Sequence, residues 1–373
     1  MTQTRLTPAI VPVPRRGDLV RKLFVTGGAG FIGSNFIRYW LREYPDDIVI
    51  NYDLLTYAGN PSTIEDIVQA YKDRHIFVQG DIENVEFVLH LLQQWRPDYL
   101  INFAAESHNS RAILNPAQFY RTNVLGTQRL LEAALKANVS RFHHISTCEV
   151  YGELDLDEKR SFTEASPYRP RTPYSASKAG ADLAVRAYIE TFRLRATISN
   201  CSNNYGPYQF PEKVIPSFAI RAMNGEKLPL YQSSRNRREW LHVEDHCRGI
   251  DAILQRGKVG ETYNIGSAVE LDVDAIADLV LNSLGLPKSF KTYVPDRPGH
   301  DRRYLLNSSK LREELGWSPK IPAEQGISEV VRWYRDNRWW WAPLLGKLSV
   351  DERGWTPPTA IENRPSKAEA QEA

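Results

Sequence analysis

The sequence predicts an α/β protein in which a doubly wound parallel sheet carries a smaller α/β substrate-binding lobe. Three observations support this fold class. From residue 21 to residue 204, short β-rich runs alternate with helix-like segments. A glycine-rich turn joins the first run to the first helix. Beyond residue 205 the alternation breaks up, and Pro, Tyr and Arg become frequent. The first region is therefore of the Rossmann type.

The predicted elements follow one another in a regular order. The strands are KLFVTG, DIVINYD, RHIFVQGD, DYLINFAA, RFHHIST and RATISNCSN. The helices between and after them include SNFIRYWLREY, PAQFYRTNVLGTQRLLEAALKAN, YSASKAGADLAVRAYIETF, VIPSFAIRAMNG, VDAIADLVLNSLG and SSKLREELGW. The aromatic segment RWYRDNRWWWAPLLG is predicted to cover the core or pack the lobe rather than to form an oligomer contact.

Composition limits the function classes. The chain of 373 residues suits two lobes, and its net charge of +2 makes no case for a nucleic-acid partner. No apolar run has the roughly eighteen residues that a membrane helix needs, and the N-terminus lacks an apolar signal core. The three cysteines, Cys148, Cys201 and Cys247, fit neither a disulfide framework nor a zinc site. We expect a cytoplasmic protein with no membrane or nucleic-acid partner.

The turn VTGGAGFIG predicts a dinucleotide site. Gly27 permits the tight turn, Gly30 lets backbone N–H groups approach a pyrophosphate, and Gly33 allows close packing of helix on strand. Asp53 ends the second strand, twenty residues beyond Gly33. A carboxylate there accepts hydrogen bonds from a ribose diol and repels a 2′-phosphate, so NAD is favoured over NADP.

These signals divide the chain into four segments. We predict a flexible arm at 1–20 and an NAD-binding Rossmann domain at 21–204. Residues 205–343 form mainly the substrate (sugar-nucleotide) lobe, interleaved with the first domain. Residues 344–373 are rich in Pro, Glu and Ala and are predicted to be disordered.

Tyr174 and Lys178 form a candidate catalytic pair in YSASK. Their spacing of four residues places both side chains on one face of a helix. An ammonium beside a phenol favours the phenolate, so Lys178 is expected to lower the pKa of Tyr174 and make it a base for a hydroxyl proton. Thr147, just after a strand, can hydrogen-bond the same hydroxyl.

Nine blocks between about residues 22 and 320 carry a family resemblance: VTGGAGFIGSNF, YDLLTYAGN, FAAESH, TNVLGT, STCEVYGEL, PYSASKAGAD, SNNYGPYQFPEKVIP, DRPGHDRRY and ELGW. They resemble the extended short-chain dehydrogenase/reductase family and, within it, the dTDP-glucose 4,6-dehydratases of deoxysugar biosynthesis. The blocks LTYAGN and NNYGPYQFPEK are far more specific than the glycine fingerprint. Related 4-epimerases and glucuronate decarboxylases share the fold but usually not these blocks.

The resemblance implies a dehydratase with retained NAD, which oxidises C4 of a sugar and later reduces C6. Tyr174 would take the C4 hydroxyl proton, Glu149 would take the C5 proton, and an acid would help the C6 hydroxyl leave as water. Glu149 could instead be a surface or capping carboxylate. The implied partner is a nucleotide-diphosphate sugar, with a dTDP-hexose favoured. A homodimer would form through residues 115–136 and 173–192.

The resemblance also assigns binding residues. The cofactor contacts are Gly27, Gly30, Phe31, Ile32, Gly33, Asp53, Thr56, Asn60, Asp81, Ile82, Ala104, Ala105, Thr122, Tyr174 and Lys178. Asp81 could equally cap a helix. The substrate contacts are Ser107, His108, Asn204, Lys213, Val214, Pro229, Tyr231, Arg238, Asn264, Arg297 and His300. No metal is expected, because His108, His143 and His144 lack carboxylate or thiolate companions at ligand spacing.

The chain departs from the dehydratase pattern at the residue expected to be the acid. The pattern is Thr-Asp-Glu, and this chain has Thr147, Cys148 and Glu149. A thiol is mostly protonated at neutral pH but is a weak hydrogen-bond donor. Loss of the C6 hydroxyl is therefore expected to be slowed or redirected, unless Cys148 only packs. Two further departures are ESHNSRA, where His-Val-Asp-Arg-Ser is common, and Arg237–Glu239, where Val-Arg-Asp is usual.

These departures leave alternatives open. A nucleotide-sugar 5,6-dehydratase, a 4-epimerase or a decarboxylase of the same family would use the same cofactor with altered chemistry at Cys148. A catalytically inactive NAD- and sugar-nucleotide-binding scaffold is a third class. The intact Tyr174, Lys178 and Glu149 argue against the scaffold.

Overall fold

The computed structural model of the protein describes residues 20–232, 235–295 and 301–348. The predictions for the N-terminal arm up to residue 19, for the substrate contacts Arg297 and His300, and for the tail from residue 349 lie outside the described residues. All other predicted site residues lie within the described ranges.

The secondary structure alternates as the sequence predicts. The strands are β1 (Lys22–Thr26), β2 (Ile48–Asp53), β3 (His75–Gln79), β4 (Tyr99–Asn102), β5 (Arg141–Thr147), β6 (Ala196–Cys201), β7 (Asn203–Tyr205), β8 (Leu228–Tyr231), β9 (Arg237–His242), β10 (Thr262–Ile265), β11 (Glu270–Asp272) and β12 (Lys291–Val294). The helices are α1 (Phe31–Glu43), α2 (Glu65–Ala70), α3 (Val85–Trp95), α4 (Asn109–Leu114), α5 (Pro116–Phe119), α6 (Thr127–Lys136), α7 (Pro173–Phe192), α8 (Val214–Met223), α9 (Val243–Arg256), α10 (Val273–Leu284), α11 (Ser309–Leu315), α12 (Ala323–Asp336) and α13 (Arg338–Trp341). A π-helical stretch, Tyr120–Gly126, joins α5 to α6.

Seven strands form one parallel sheet in the order β3-β2-β1-β4-β5-β6-β10. This order confirms the predicted Rossmann-type sheet. Strands are added outward from β1 in both directions, so the winding reverses between β1 and β4. Thr26, the last residue of β1, is in register with Tyr52 of β2 and Asn102 of β4. The crevice outside the strand carboxyl ends at this reversal is the usual ligand position in such sheets.

A second hydrophobic core lies in the smaller lobe. The sheets β11-β9-β7 and β12-β8 pack with α8, α10 and α12 around it. Trp340 and Trp341 are each 2% exposed and belong to this core. The aromatic segment therefore packs the lobe, as predicted.

The two regions of the chain are interleaved. Although β10 and α9 follow residue 205, β10 pairs with β6 of the main sheet and α9 packs against α1. A 3₁₀ turn, Ala342–Lys347, continues regular structure past residue 344, so the predicted disorder is wrong for the first residues of that segment. Within the described residues, no helix combines the length and apolar character needed to cross a membrane.

Candidate active site

A cavity of about 330 Å³ opens at the carboxyl ends of the central strands. The predicted cofactor residues that line it are Gly27, Gly30, Phe31, Ile32, Gly33, Asp53, Thr56, Asp81, Ile82, Ala104, Ala105, Thr122, Tyr174 and Lys178. Asn60 is the exception. Its backbone N–H donates to the Ala29 carbonyl at 3.3 Å and its side chain accepts a hydrogen bond from Lys347, so it supports the loop beside the cavity.

Backbone atoms leave no room for side chains at two positions of the glycine turn. Gly27 has φ +70°, and a Cβ there would lie 2.6 Å from the Ala104 nitrogen. A Cβ on Gly33 would lie 2.3 Å from the Gly27 carbonyl oxygen. Gly30 is the N-cap residue of α1 and lines the cavity. The helix N-terminus thus presents backbone to the cavity, which is the geometry that accepts a pyrophosphate.

Asp53 stands beside this turn at the end of β2. It is 8% exposed and lines the cavity. Burial raises the pKa of Asp53, while hydrogen bonds from the backbone N–H groups of Leu55 and Ala29 lower it. An acceptor fixed at this point suits a ribose diol, so the residues present fit NAD.

Tyr174 and Lys178 come from the first turns of α7. Thr172 caps this helix: its Oγ1 accepts the Ser175 N–H at 3.1 Å, and Ser175 Oγ accepts the Thr172 N–H at 3.0 Å. This capping box fixes where the helix begins. Lys178 is 4% exposed, and its Nζ donates to the Ile145 carbonyl at 2.7 Å.

The structure corrects one expectation about this pair. Burial, with the nearby Glu149 and Cys201, raises the pKa of Tyr174 well above its ordinary value, and the hydrogen bond with Thr147 lowers it only in part. Burial also lowers the pKa of Lys178, although Asp182 raises it. Lys178 alone therefore does not make Tyr174 a phenolate, because both groups are desolvated.

Glu149 and Cys148 follow β5 but point to different surroundings. Glu149 lines the cavity, and its N–H donates to Thr147 Oγ1 at 3.3 Å. Cys148 is 1% exposed, is absent from the cavity wall, and packs in a cluster with Tyr151, Phe162 and Tyr304. Burial raises the pKa of the Cys148 thiol well above its ordinary value, so the group is neutral near pH 7.

The predicted substrate residues are divided between the cavity wall and its surroundings. Ser107, Asn204 and Lys213 line the cavity, and Lys213 Nζ donates to the Ser107 carbonyl at 3.2 Å. Arg238 is 9% exposed, with its guanidinium 4.7 Å from the centre of the Tyr304 ring. The residues that do not line the cavity are His108, Val214, Pro229, Tyr231 and Arg238, and their contacts stay predictions.

Asn264 corrects another prediction. Its side chain is fully buried, with Oδ1 accepting from Tyr151 Oη at 2.9 Å and Nδ2 donating to the Phe162 carbonyl at 3.0 Å. These partners are internal, and the side chain does not line the cavity. Asn264 is therefore a structural residue of β10 rather than a substrate contact.

Several cavity residues were not predicted. They include Tyr57, Glu106, Cys201, Gln209, Phe210 and Glu212. Cys201 ends β6, so the position of a strand end beside the crevice could have identified it. Tyr57 and Glu212 are joined by a 3.0 Å hydrogen bond across 155 residues of sequence, which no local pattern shows.

The histidines that could suggest a metal have other roles. Those on β5 are fully buried: His143 bonds Thr197 Oγ1 at 2.9 Å and His144 bonds Asn102 Nδ2 at 3.2 Å. Among the described residues, no group of three or more His, Cys, Asp or Glu side chains is arranged to hold a metal ion.

Comparison with known proteins shows the family of the chain and several enzymes to which it is similar. Residues 24–330 match the family model described as GDP-mannose 4,6 dehydratase. A dTDP-glucose 4,6-dehydratase of Mycobacterium tuberculosis is 47% identical over 336 residues, covering 89% of this chain and 99% of that protein. A dTDP-glucose 4,6-dehydratase of Streptomyces venezuelae, solved with NAD bound, gives a TM-score of 0.83 at 47% identity, covering 87% of this chain and 99% of its own. A UDP-glucose 4-epimerase of Thermotoga maritima gives 0.78 at 27% identity, covering 85% and 99%.

Proposed function

The chain belongs to the GDP-mannose 4,6 dehydratase family, and from that premise we propose that it is an NAD-dependent 4,6-dehydratase of dTDP-glucose. The observation that carries the proposal is one cavity in which the glycine turn, Tyr174 and Glu149 face the same space. Its near-full-length identity to dTDP-glucose dehydratases, compared with a much lower identity to a 4-epimerase of the same fold, supports this substrate over the epimerase alternative.

The cofactor would lie along the crevice at the winding reversal. The glycine turn would bind the pyrophosphate of the cofactor, and Asp53 would accept hydrogen bonds from a ribose diol. When bound, NAD supplies an oxidant for C4 that is regenerated when C6 is reduced. Tyr174 and Lys178 line the same cavity, which supports a role for them beside the reactive end of the cofactor.

Side chains of the protein would transfer the protons of the reaction. Tyr174, hydrogen-bonded to Thr147, would take the proton of the C4 hydroxyl as C4 becomes a ketone. It would do so as a phenolate, which the positive charge of bound NAD would favour together with the Lys178 ammonium. The ketone acidifies C5, and Glu149 would take that proton as the C5–C6 double bond forms and the C6–O bond breaks. The C6 hydroxyl leaves as water once it has gained a proton. Glu149 would return a proton to C5 when C6 is reduced.

Cys148 occupies the position of the acid that would protonate the leaving hydroxyl. The thiol is neutral and so carries a proton, but it is a weak donor and packs among apolar side chains. We therefore propose a slow loss of the C6 hydroxyl. The presence of Cys148 at this position also favours a second candidate function, that of a 5,6-dehydratase acting on another nucleotide sugar. The product of that reaction would keep the double bond.

A homodimer is proposed from exposed apolar side chains on the predicted pairing segments, 115–136 and 173–192, and directly beside them. The residues concerned are Leu114, Tyr120, Leu125, Leu183 and Phe192, each between 41% and 58% exposed. They lie on α4, the π-helical stretch and α7. Several exposed large apolar side chains on these elements support a subunit contact there.

The test is incubation of the NAD-loaded protein with a panel of nucleotide sugars, with NMR of the products. The proposal expects a 4-keto-6-deoxy product from dTDP-glucose. An exocyclic or 5,6-unsaturated product from another sugar would favour the second candidate. If Tyr174→Phe left the biological activity of the protein unchanged, the inactive-scaffold alternative would replace both.

A further inference from the structure

The side chain of Asn109 joins the proposed C5 base to the helix that carries Tyr174. Its Nδ2 donates to Glu149 Oε2 at 3.1 Å, and its Oδ1 accepts from Thr172 Oγ1 at 2.8 Å. Thr172 is the N-cap of α7, whose first turn carries Tyr174. We infer that Asn109 is a positioning residue for C5 proton removal, which orients the Glu149 carboxylate and fixes its place relative to Tyr174. This inference rests on the proposed function.

The Glu149 end of the bridge determines the orientation of the amide. An ionised carboxylate accepts only, so Glu149 needs the donor end of the amide. Thr172 Oγ1 already accepts the Ser175 N–H at 3.1 Å, so its hydroxyl proton is available for the acceptor end of Asn109. Rotating the amide by half a turn would place its oxygen against the carboxylate and lose the bond to Glu149. One amide orientation is therefore favoured.

The neighbours of Glu149 make this amide chemically distinct within the site. Cys148, which directly precedes Glu149, is a weak hydrogen-bond donor, whereas the Asn109 amide donates to the carboxylate itself.

The base also faces other titratable groups. Tyr174, Cys201 and Tyr304 each interact electrostatically with Glu149, as does the adjacent Cys148. Asn109 contacts the carboxylate directly, through a hydrogen bond of 3.1 Å from its amide to Glu149 Oε2. Replacing Asn109 with an apolar residue would remove this bond.

The proton step can be separated from oxidation at C4. With a dTDP-4-keto-6-deoxyhexose bound in heavy water, Glu149 takes the C5 proton and the C5–H electron pair passes into the C4 oxygen as an enolate. The carboxyl group exchanges its proton with solvent and returns a deuteron to C5. No electrons enter or leave the sugar, and the only net change is deuterium for hydrogen at C5.

The experiment measures this exchange by NMR in the NAD-loaded wild type, Asn109→Val and Asn282→Val. Asn282 is an exposed asparagine on α10, outside the cavity wall, and provides a chemically matched control. Removing a hydrogen bond to a charged group is expected to slow exchange by about tenfold or more in Asn109→Val. The dissociation constant of the ketosugar should change much less, and Asn282→Val should exchange like the wild type.

The outcomes separate this inference from the proposed function. Equal exchange rates in wild type and Asn109→Val at saturating ketosugar would overturn the inference while leaving the function intact. Absence of exchange in the wild type, or undiminished exchange in Glu149→Gln, would overturn the role of Glu149 and the inference with it. If circular dichroism shows that Asn109→Val is misfolded, Asn109→Ala makes the same test with a smaller side chain.

Discussion

The Asp53 carboxylate accepts a 2.9 Å hydrogen bond from the backbone N–H of Ala29. Ala29 lies in the glycine turn after β1, so this bond joins the ends of β1 and β2 at the cofactor crevice. The second carboxylate oxygen accepts the Leu55 N–H at 2.7 Å. The carboxylate is therefore held in one orientation at the edge of the cavity, and this restraint leads to the first prediction.

Replacing Asp53 with serine should weaken NAD binding and reduce discrimination against NADP. The substitution removes acceptors for the ribose diol and a negative charge that repels a 2′-phosphate. Loss of such a charged hydrogen bond is expected to cost about tenfold or more in NAD affinity. Calorimetric titration of the nucleotide-free protein measures both affinities. The exposed Asp73 provides the matched control Asp73→Ser, and unchanged NAD affinity in Asp53→Ser would refute the assignment.

Cys148→Asp should raise the rate of 4-keto-6-deoxy product formation from dTDP-glucose. A carboxyl group is a much stronger proton donor than a thiol, and desolvation of a charged carboxylate beside Tyr151, Phe162 and Tyr304 would favour its turning from that cluster towards the cavity. Cys148→Ser removes the thiol without adding an acid and should show no such gain. A large loss of turnover in Cys148→Asp, in a folded protein, would show instead that the thiol or its pocket is required.

Stability should fall as the pH is lowered through the ordinary titration range of histidine. Burial lowers the pKa of His143 to about 3, from an ordinary value of 6.5. The unfolded chain therefore binds a proton below pH 6.5 that the folded chain does not, and the stabilisation present above that pH is lost as the pH falls. From about pH 7.5 to 5.5 this single site should lower the free energy of unfolding by about 1.4 kcal/mol.

Urea denaturation at the two pH values checks this contribution when wild type is compared with His143→Gln under the same NAD conditions. The variant lacks the titrating ring, so its free energy of unfolding should change less with pH, by the amount given above. An identical pH dependence in the two proteins would mean that His143 titrates alike in the folded and unfolded chains.

Leu183→Asp should dissociate the proposed homodimer. Leu183 is 58% exposed on α7, and a buried aspartate at a subunit contact would be an unpaired desolvated charge. Multi-angle light scattering at matched concentrations should give the monomer mass for the variant and the dimer mass for wild type. Val259→Asp, at a surface position that is 37% exposed and outside the pairing helices, should keep the wild-type mass. A monomeric wild type would remove the basis for the proposal.

Local patterns predicted the parts of the site that are local in sequence. The glycine turn lies between one strand and one helix, and Tyr174 and Lys178 share a helix face, so spacing alone placed them correctly. The protonation of that pair was not predictable, because it depends on burial by distant segments. Asn264 was misassigned for a similar reason: the resemblance does not show that its side chain bonds Tyr151 and Phe162 inside the fold.

The hydrogen bond between Asn109 and Glu149 could not be predicted from the sequence. These residues are 40 positions apart, on α4 and on the turn after β5. Neither has a spacing motif with the other, and an asparagine at a helix start is commonly explained by local hydrogen bonding. Only the packing of α4 against α7 places the amide between the carboxylate and Thr172.

In the proposed reaction, one active site oxidises C4, eliminates water across C5 and C6, and returns the same hydrogen to C6. The most direct measurement uses dTDP-glucose labelled with deuterium at C4, the NAD-loaded protein and NMR of the product. We expect a 4-keto-6-deoxy sugar with the label at C6. A product without deuterium at C6, or no product from folded protein with NAD bound, would contradict it.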